Sequence, residues 1–151
     1  MDRARAMIRL LPLMLLAACA PTSHLLTNAD GSTTFEPCGN APRCAVSLTE
    51  PGPGGDSVAP LRGGSTATEA LTNLRAVLAA TPGYRVLSDD GRYLHAEFTT
   101  PLVRYRDDVE FLVRDDGRID VRSAARIGWY DWETNRKRIE RLQAALDARR
   151  R

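Results

Sequence analysis

Apolar side chains spaced three and four residues apart mark the first regular element. Ala67, Ala70, Leu71, Leu74, Val77 and Leu78 fall on one stripe, which predicts a helix with one buried side. Thr66-Ala67-Thr68-Glu69 reads as a capping box at its start, and Thr81-Pro82-Gly83 stops it. The period then changes to two: Leu94, Ala96 and Phe98 alternate with Tyr93, His95 and Glu97. Two hairpins follow from such alternation. Tyr84–Ser88 and Arg92–Thr99 flank Asp89-Asp90-Gly91, and Asp108–Arg114 and Arg118–Ala124 flank Asp115-Asp116-Gly117. With three-residue turns, Val109, Phe111 and Val113 stand opposite Ser123, Val121 and Ile119. A last helix is expected from about Trp132 to Arg149, capped by Asp131, with Trp132, Ile139, Leu142 and Leu146 inward.

In order α-β-β-β-β-α, these elements predict a two-layer α+β domain. It is a four-stranded antiparallel meander with two helices, one side of the sheet packed and the other more polar. Pro51–Gly64 is rich in proline and glycine and reads as an irregular loop, with room for one extra short edge strand near 58–61.

Outside these elements the N-terminus has its own grammar. Arg3, Arg5 and Arg9 precede an apolar run from Leu10 to Leu16, and Ala17-Ala18-Cys19 follows. That is a secretory signal, too short to span a bilayer as a helix. Leu16-Ala17-Ala18-Cys19 resembles a bacterial lipobox, which implies cleavage before Cys19 and acyl chains on that residue. The plain-secretion alternative leaves Cys19 an incidental thiol. Under the lipobox reading, residues 1–18 are a lipoprotein signal peptide and 19–37 a lipidated N-terminus and flexible tether. Residues 38–150 are the domain. Anchorage is then to a membrane through acyl chains, in the cell envelope facing the periplasm. Ala20, rather than an aspartate after the cysteine, favours the outer membrane over the inner.

Cys38 and Cys44 remain as an even pair bracketing a Gly-, Asn- and Pro-containing loop, and export makes a disulfide the expected state. Redox work by the pair is the alternative. His24 and His95 are far apart in sequence, so no metal centre and no other cofactor is expected.

Removing Arg3, Arg5, Arg9 and Asp2 from the 21 basic and 19 acidic side chains leaves 18 of each. A neutral mature chain argues against nucleic acid as a partner. The charges nonetheless gather. Hairpin arithmetic sets Glu110 across from Arg122 and Asp108 across from Ala124, on the face away from Phe111. Arg104, Arg106, Asp107, Ser123, Arg126, Asp131, Asn135, Arg136 and Arg138 lie close by in sequence. Lys137 is the one lysine, so arginine forks supply nearly all the positive charge. This set reads as an ion-pair network joining sheet and last helix, with an anion- or peptide-binding groove or a catalytic face as alternatives.

No catalytic residue is assigned. Ser123 has no nucleophile-elbow context and no glycine loop follows a strand into a helix, so neither serine hydrolysis nor phosphoryl transfer is indicated. His95 reads as a strand residue meeting a carboxylate or water.

The motifs Tyr93-Leu94-His95-Ala96-Glu97-Phe98, Asp107-Asp108-Val109-Glu110-Phe111 and Val121-Arg122-Ser123-Ala124-Ala125-Arg126-Ile127-Gly128 occur in series. With Asp131 and Asn135-Arg136-Lys137-Arg138-Ile139-Glu140 they resemble the domain of unknown function 1499 family over roughly Cys38 to Leu146. The family carries no established activity, so the resemblance implies the fold and no reaction. The expectation is a lipid-anchored envelope protein acting as a binding or structural module, with its protein or small-molecule partner unknown. The alternative is a hydrolase of cell-wall or small anionic substrates working through the Asp/Glu/Arg face.

Overall fold

Local chemistry sets the first helix much as its spacing indicates. In the computed structural model, which describes residues 22–40, 42–48, 56–128 and 133–151, helix α1 runs Ala67–Ala80 and buries Ala70, Leu74, Val77 and Leu78. Thr66 accepts the Glu69 N–H at 3.3 Å, as an N-cap should. The return bond slips by one residue, because the Glu69 carboxylate accepts from the Ser65 N–H and hydroxyl, each at 2.8 Å.

Two short strands, β1 (Leu25–Thr27) and β2 (Thr33–Phe35), form an N-terminal hairpin. Next come β3 (Cys44–Val46), β4 (Asp56–Ser57) and β5 (Leu61–Arg62). After α1 the chain lays down β6 (Tyr84–Asp89), β7 (Tyr93–Thr99), β8 (Arg106–Val113) and β9 (Arg118–Ala125), and ends in α2 (Thr134–Arg149). The β6–β9 meander is the one its alternation implies, and Glu110 stands opposite Arg122 and Asp108 opposite Ala124.

The sheet is wider than four strands. Its order is β4-β3-β9-β8-β7-β6, six strands along the path, with β5 also paired to β9. The free edge of β9 is shared end to end by β3 over Arg122–Ala124 and by β5 over Arg118–Ile119. β3 and β4 are parallel and the remaining pairs antiparallel. Strands of two or three residues show no alternation, which is why the edge expected near 58–61 resolves instead into β4 and β5 on either side of Val58–Pro60.

Both helices pack on one face. Leu94, Ala96, Val109, Phe111, Val113, Ile119 and Val121 meet Leu74, Leu78, Ile139, Leu142 and Leu146 in one core. Helix α2 begins at Thr134 because Glu133 adopts a left-handed backbone (φ 61) that cannot be continued as helix. The expected cap Asp131 and the inward Trp132 lie outside the described residues, as do residues 1–18 and Cys19.

The other face is covered as well, so this is not a two-layer domain with a polar open side. Within the segment expected as a tether, Leu25–Phe35 forms the β1–β2 hairpin, which lies over that face with Phe35 fully buried. Phe35 packs with Val46, Leu112 and the Cys38–Cys44 disulfide.

The two Asp-Asp-Gly turns differ in surroundings. Gly91 (φ 90) stands in open space, whereas a Cβ on Gly117 (φ 77) would lie 2.2 Å from the Gly64 carbonyl oxygen. Gly63 N–H donates to Gly117 O at 3.1 Å across that contact.

Candidate functional site

The period of two places neighbouring polar residues on opposite faces, so the expected charged face divides into two clusters. Asp107 and Ser123 point towards the helices, beside Asn135 and Arg138 of α2. The buried Arg138 guanidinium donates to Asp107, to Asn135 Oδ1 and, at 2.8 Å, to Ser123 Oγ. Ser123 Oγ donates to Asn135 Oδ1 at 2.6 Å, and Asn135 Nδ2 donates to the Arg43 carbonyl at 2.8 Å. Arg138 also stacks over Phe98, its guanidinium carbon 4.4 Å from the ring centre. Burial pushes the nearby Tyr84 hydroxyl well above the usual tyrosine range.

On the hairpin face, Glu110 is fully buried and saturated with donors. The His24 backbone N–H and the Tyr93 hydroxyl reach Oε2 at 2.9 and 2.7 Å, and His24 Nδ1 lies 2.6 Å from Oε1. Arg122 is the next cation, 3.6 Å from Oε1. Burial lowers the Arg122 pKa and Glu110 partly offsets it. Burial likewise raises that of Tyr93.

Beside this group, Arg126 holds Asp108 by two bonds at 2.7 and 2.8 Å and reaches Glu97 at 2.8 Å. The Asp108 bond raises the Arg126 pKa further. His95, nearly inaccessible, donates from Nε2 to Asp108 at 2.8 Å, and its buried Nδ1 has no hydrogen-bond partner among the described residues. Burial opposes ionisation of Asp108, yet the Arg126 and His95 bonds outweigh it and hold the carboxyl well below the usual range. Arg85 and Arg106 approach Glu97 from outside, at 3.3 and 3.7 Å.

A proton-donating acid is poorly served here. Asp108 is held as a carboxylate, and both Glu110 oxygens are already occupied. Among the described residues no group of three or more His, Cys, Asp or Glu side chains is arranged to hold a metal.

The family model described as Protein of unknown function (DUF1499) matches residues 34–146, well over half of the chain. The chain belongs to this family. No curated protein and no solved structure matches it.

Within this DUF1499 chain, Asp107, Ser123 and Asn135 converge on Arg138, while Asp108, Glu110, Arg122 and Arg126 share the opposite face. Arg136 belongs to neither cluster and donates to the Ser57 carbonyl at 3.0 Å. Asp131 lies outside the described residues. Arg138, expected near the charged face, lies on the inward stripe of α2 with Ile139 and Leu142 and so joins the helix-side cluster. His24, Tyr93, His95 and Glu97 take part although they are not in the expected set. Tyr93 and His95 could have been added by extending the hairpin register to β7, where His95 pairs with Glu110 and Glu97 with Asp108. His24, 86 residues from Glu110, leaves no local signal. Its segment begins before the DUF1499 match.

Proposed function

We propose that this protein is a lipid-anchored component of the bacterial cell envelope whose DUF1499 domain is a non-catalytic binding or structural module facing the periplasm. The tetrapeptide Leu16-Ala17-Ala18-Cys19, set behind a basic start and a short apolar run, carries this reading. The Cys38–Cys44 disulfide is in keeping with an oxidising compartment. Ala20 supports the outer membrane as the destination. The non-catalytic part rests on the engaged state of the carboxylates: Asp107, Asp108 and Glu110 each already meet a cation or its donors. Among the described residues no helix is long and apolar enough to cross a membrane.

Mass spectrometry of protein extracted from membranes tests the anchor. The expected product is an N-terminal peptide beginning at an acylated Cys19, and a Cys19→Ser chain should stay uncut and carry no lipid. An unmodified mature chain would reject the proposal.

A further inference from the structure

Where β7 passes into β8, the chain raises an apolar tip that none of the described residues covers. Thr100 closes this loop on itself. Its N–H donates to Tyr105 O at 2.9 Å, its hydroxyl accepts the Tyr105 N–H at 2.9 Å, and its carbonyl accepts the Arg104 N–H at 3.1 Å. Arg104 is held in the left-handed region (φ 55). The turn so fixed presents Leu102 at 95% exposure and Val103 at 63%, with Tyr105 half exposed at the shoulder. Ile127, 72% exposed, extends the patch from the end of β9. Together they line an open cavity of about 800 Å³ whose other wall is α2. Isolated exposed aliphatics are ordinary, but a contiguous patch on a hydrogen-bonded turn marks a contact surface.

Charge selects the occupant. Arg104 and Arg106 flank the tip in sequence, and Lys137 and Arg141 stand across the cavity, all exposed. Among the described residues the acids at this end are largely engaged. Asp107 is buried against Arg138, Glu97 and Asp108 are bridged by Arg126, and Glu133 meets Lys137 at 3.3 Å. Aliphatic tip, tyrosine shoulder and guanidinium collar form the sequence of environments met on entering a bilayer of anionic lipid. We infer that the 101–105 loop is a membrane-docking tip that inserts Leu102 and Val103 among anionic phospholipids.

The orientation rests on the lipid-anchor reading. Four residues separate Cys19 from His24, which is held on Glu110. Five extended steps reach about 17 Å. Glu110 lies four residues from the Arg106 end of β8, roughly 13 Å along the strand. An acylated Cys19 can therefore lie in the plane that the tip would enter.

Photo-crosslinking tests the inference on the full membrane-extracted chain. A benzophenone side chain is placed at Leu102 or, beyond the opposite end of β8, at Asp116. The chain is reconstituted in vesicles of phosphatidylethanolamine with phosphatidylglycerol, or of phosphatidylcholine. The expected result is a phospholipid adduct at position 102 whose yield falls severalfold at position 116 and severalfold in phosphatidylcholine. Arg104→Glu with Arg141→Glu should abolish the preference for phosphatidylglycerol. Equal yields at the two positions, equal yields in the two lipids, or a protein–protein adduct at 102 would overturn it, the last assigning the tip to a second copy. The intact mass of the same sample separates the two readings: acylated chain without an adduct at 102 rejects the tip and keeps the anchor, and an adduct on unacylated chain does the reverse.

Discussion

On the helix face of the sheet, Leu94, Phe111, Val121 and their helix partners provide the burial, and the polar cluster around Arg138 interrupts it. On the hairpin face the proportions reverse. Glu110, His95, Glu97, Asp120 and Arg122 are buried there, and the apolar contribution narrows to Phe35, Val46, Leu112 and the disulfide. The difference lies in what each face asks of its cover. An apolar face is satisfied by any well-packed stripe, because hydrophobic contact is non-directional. A face of buried carboxylates needs donors at set positions, or each ion costs several kcal/mol. The hairpin supplies them from one residue, through His24 N–H and Nδ1.

That contrast can be broken from either side. The largest effect is expected on the helix face. Arg138→Met strands Asp107 in the interior and should cost about 3–5 kcal/mol, read as a fall in the urea midpoint. Adding Asp107→Leu should recover most of it, since a matched apolar pair removes both charges. If the double variant is no better than the single, the Ser123 and Asn135 bonds matter more than the ion pair.

On the hairpin face, Glu110→Gln leaves the donors of His24 and Tyr93 facing a neutral amide, and about 2 kcal/mol should go. Amide exchange should quicken at Asn28 and Glu36, whose N–H groups are bonded across the hairpin, and stay slow at Val121. Uniform quickening would mean that the hairpin is no separate unit. Cys38→Ser with Cys44→Ser opens a short loop beside the same hairpin and should also cost about 2 kcal/mol, by chain entropy.

Asp108→Asn should cost less, about 1.5 kcal/mol near neutrality. Its signature is the pH dependence. The folded Asp108 carboxyl sits below its ordinary value, so its contribution is complete above the unfolded pKa of about 3.9 and is lost as pH falls through the folded one. Acid titration of unfolding should therefore show the wild type losing its advantage over Asp108→Asn below about pH 4. A constant difference down to strong acid would remove Arg126 and His95 as the cause.

How much of this was legible follows the same division. The helix face could be read because its signal is local: period 3.6 in α1, period two in β6–β9, and a glycine in each turn. Register came with it, since Glu110 opposite Arg122 needs only the length of one turn. Burial of the hairpin face was not legible. Its residues are polar, and polar alternation reads as solvent exposure until the cover is known. The cover is a three-residue-stranded hairpin in a polar segment without periodicity, and β3, β4 and β5 are too short to alternate. The grouping of Asp107 with Asp108 failed for an elementary reason: adjacent strand residues face apart.

The twin Asp-Asp-Gly turns carry a practical consequence. Written identically, they tolerate very different cargo. Around Gly91 there is vacant solvent, so an epitope or fluorophore spliced between Asp90 and Arg92 would meet no neighbouring backbone and leave the sheet beneath it in place. Around Gly117 the backbone of Gly64 is already within touching distance, and the same insert would have to prise β5 from β9 before it could emerge. One turn is a handle, the other a hinge pin.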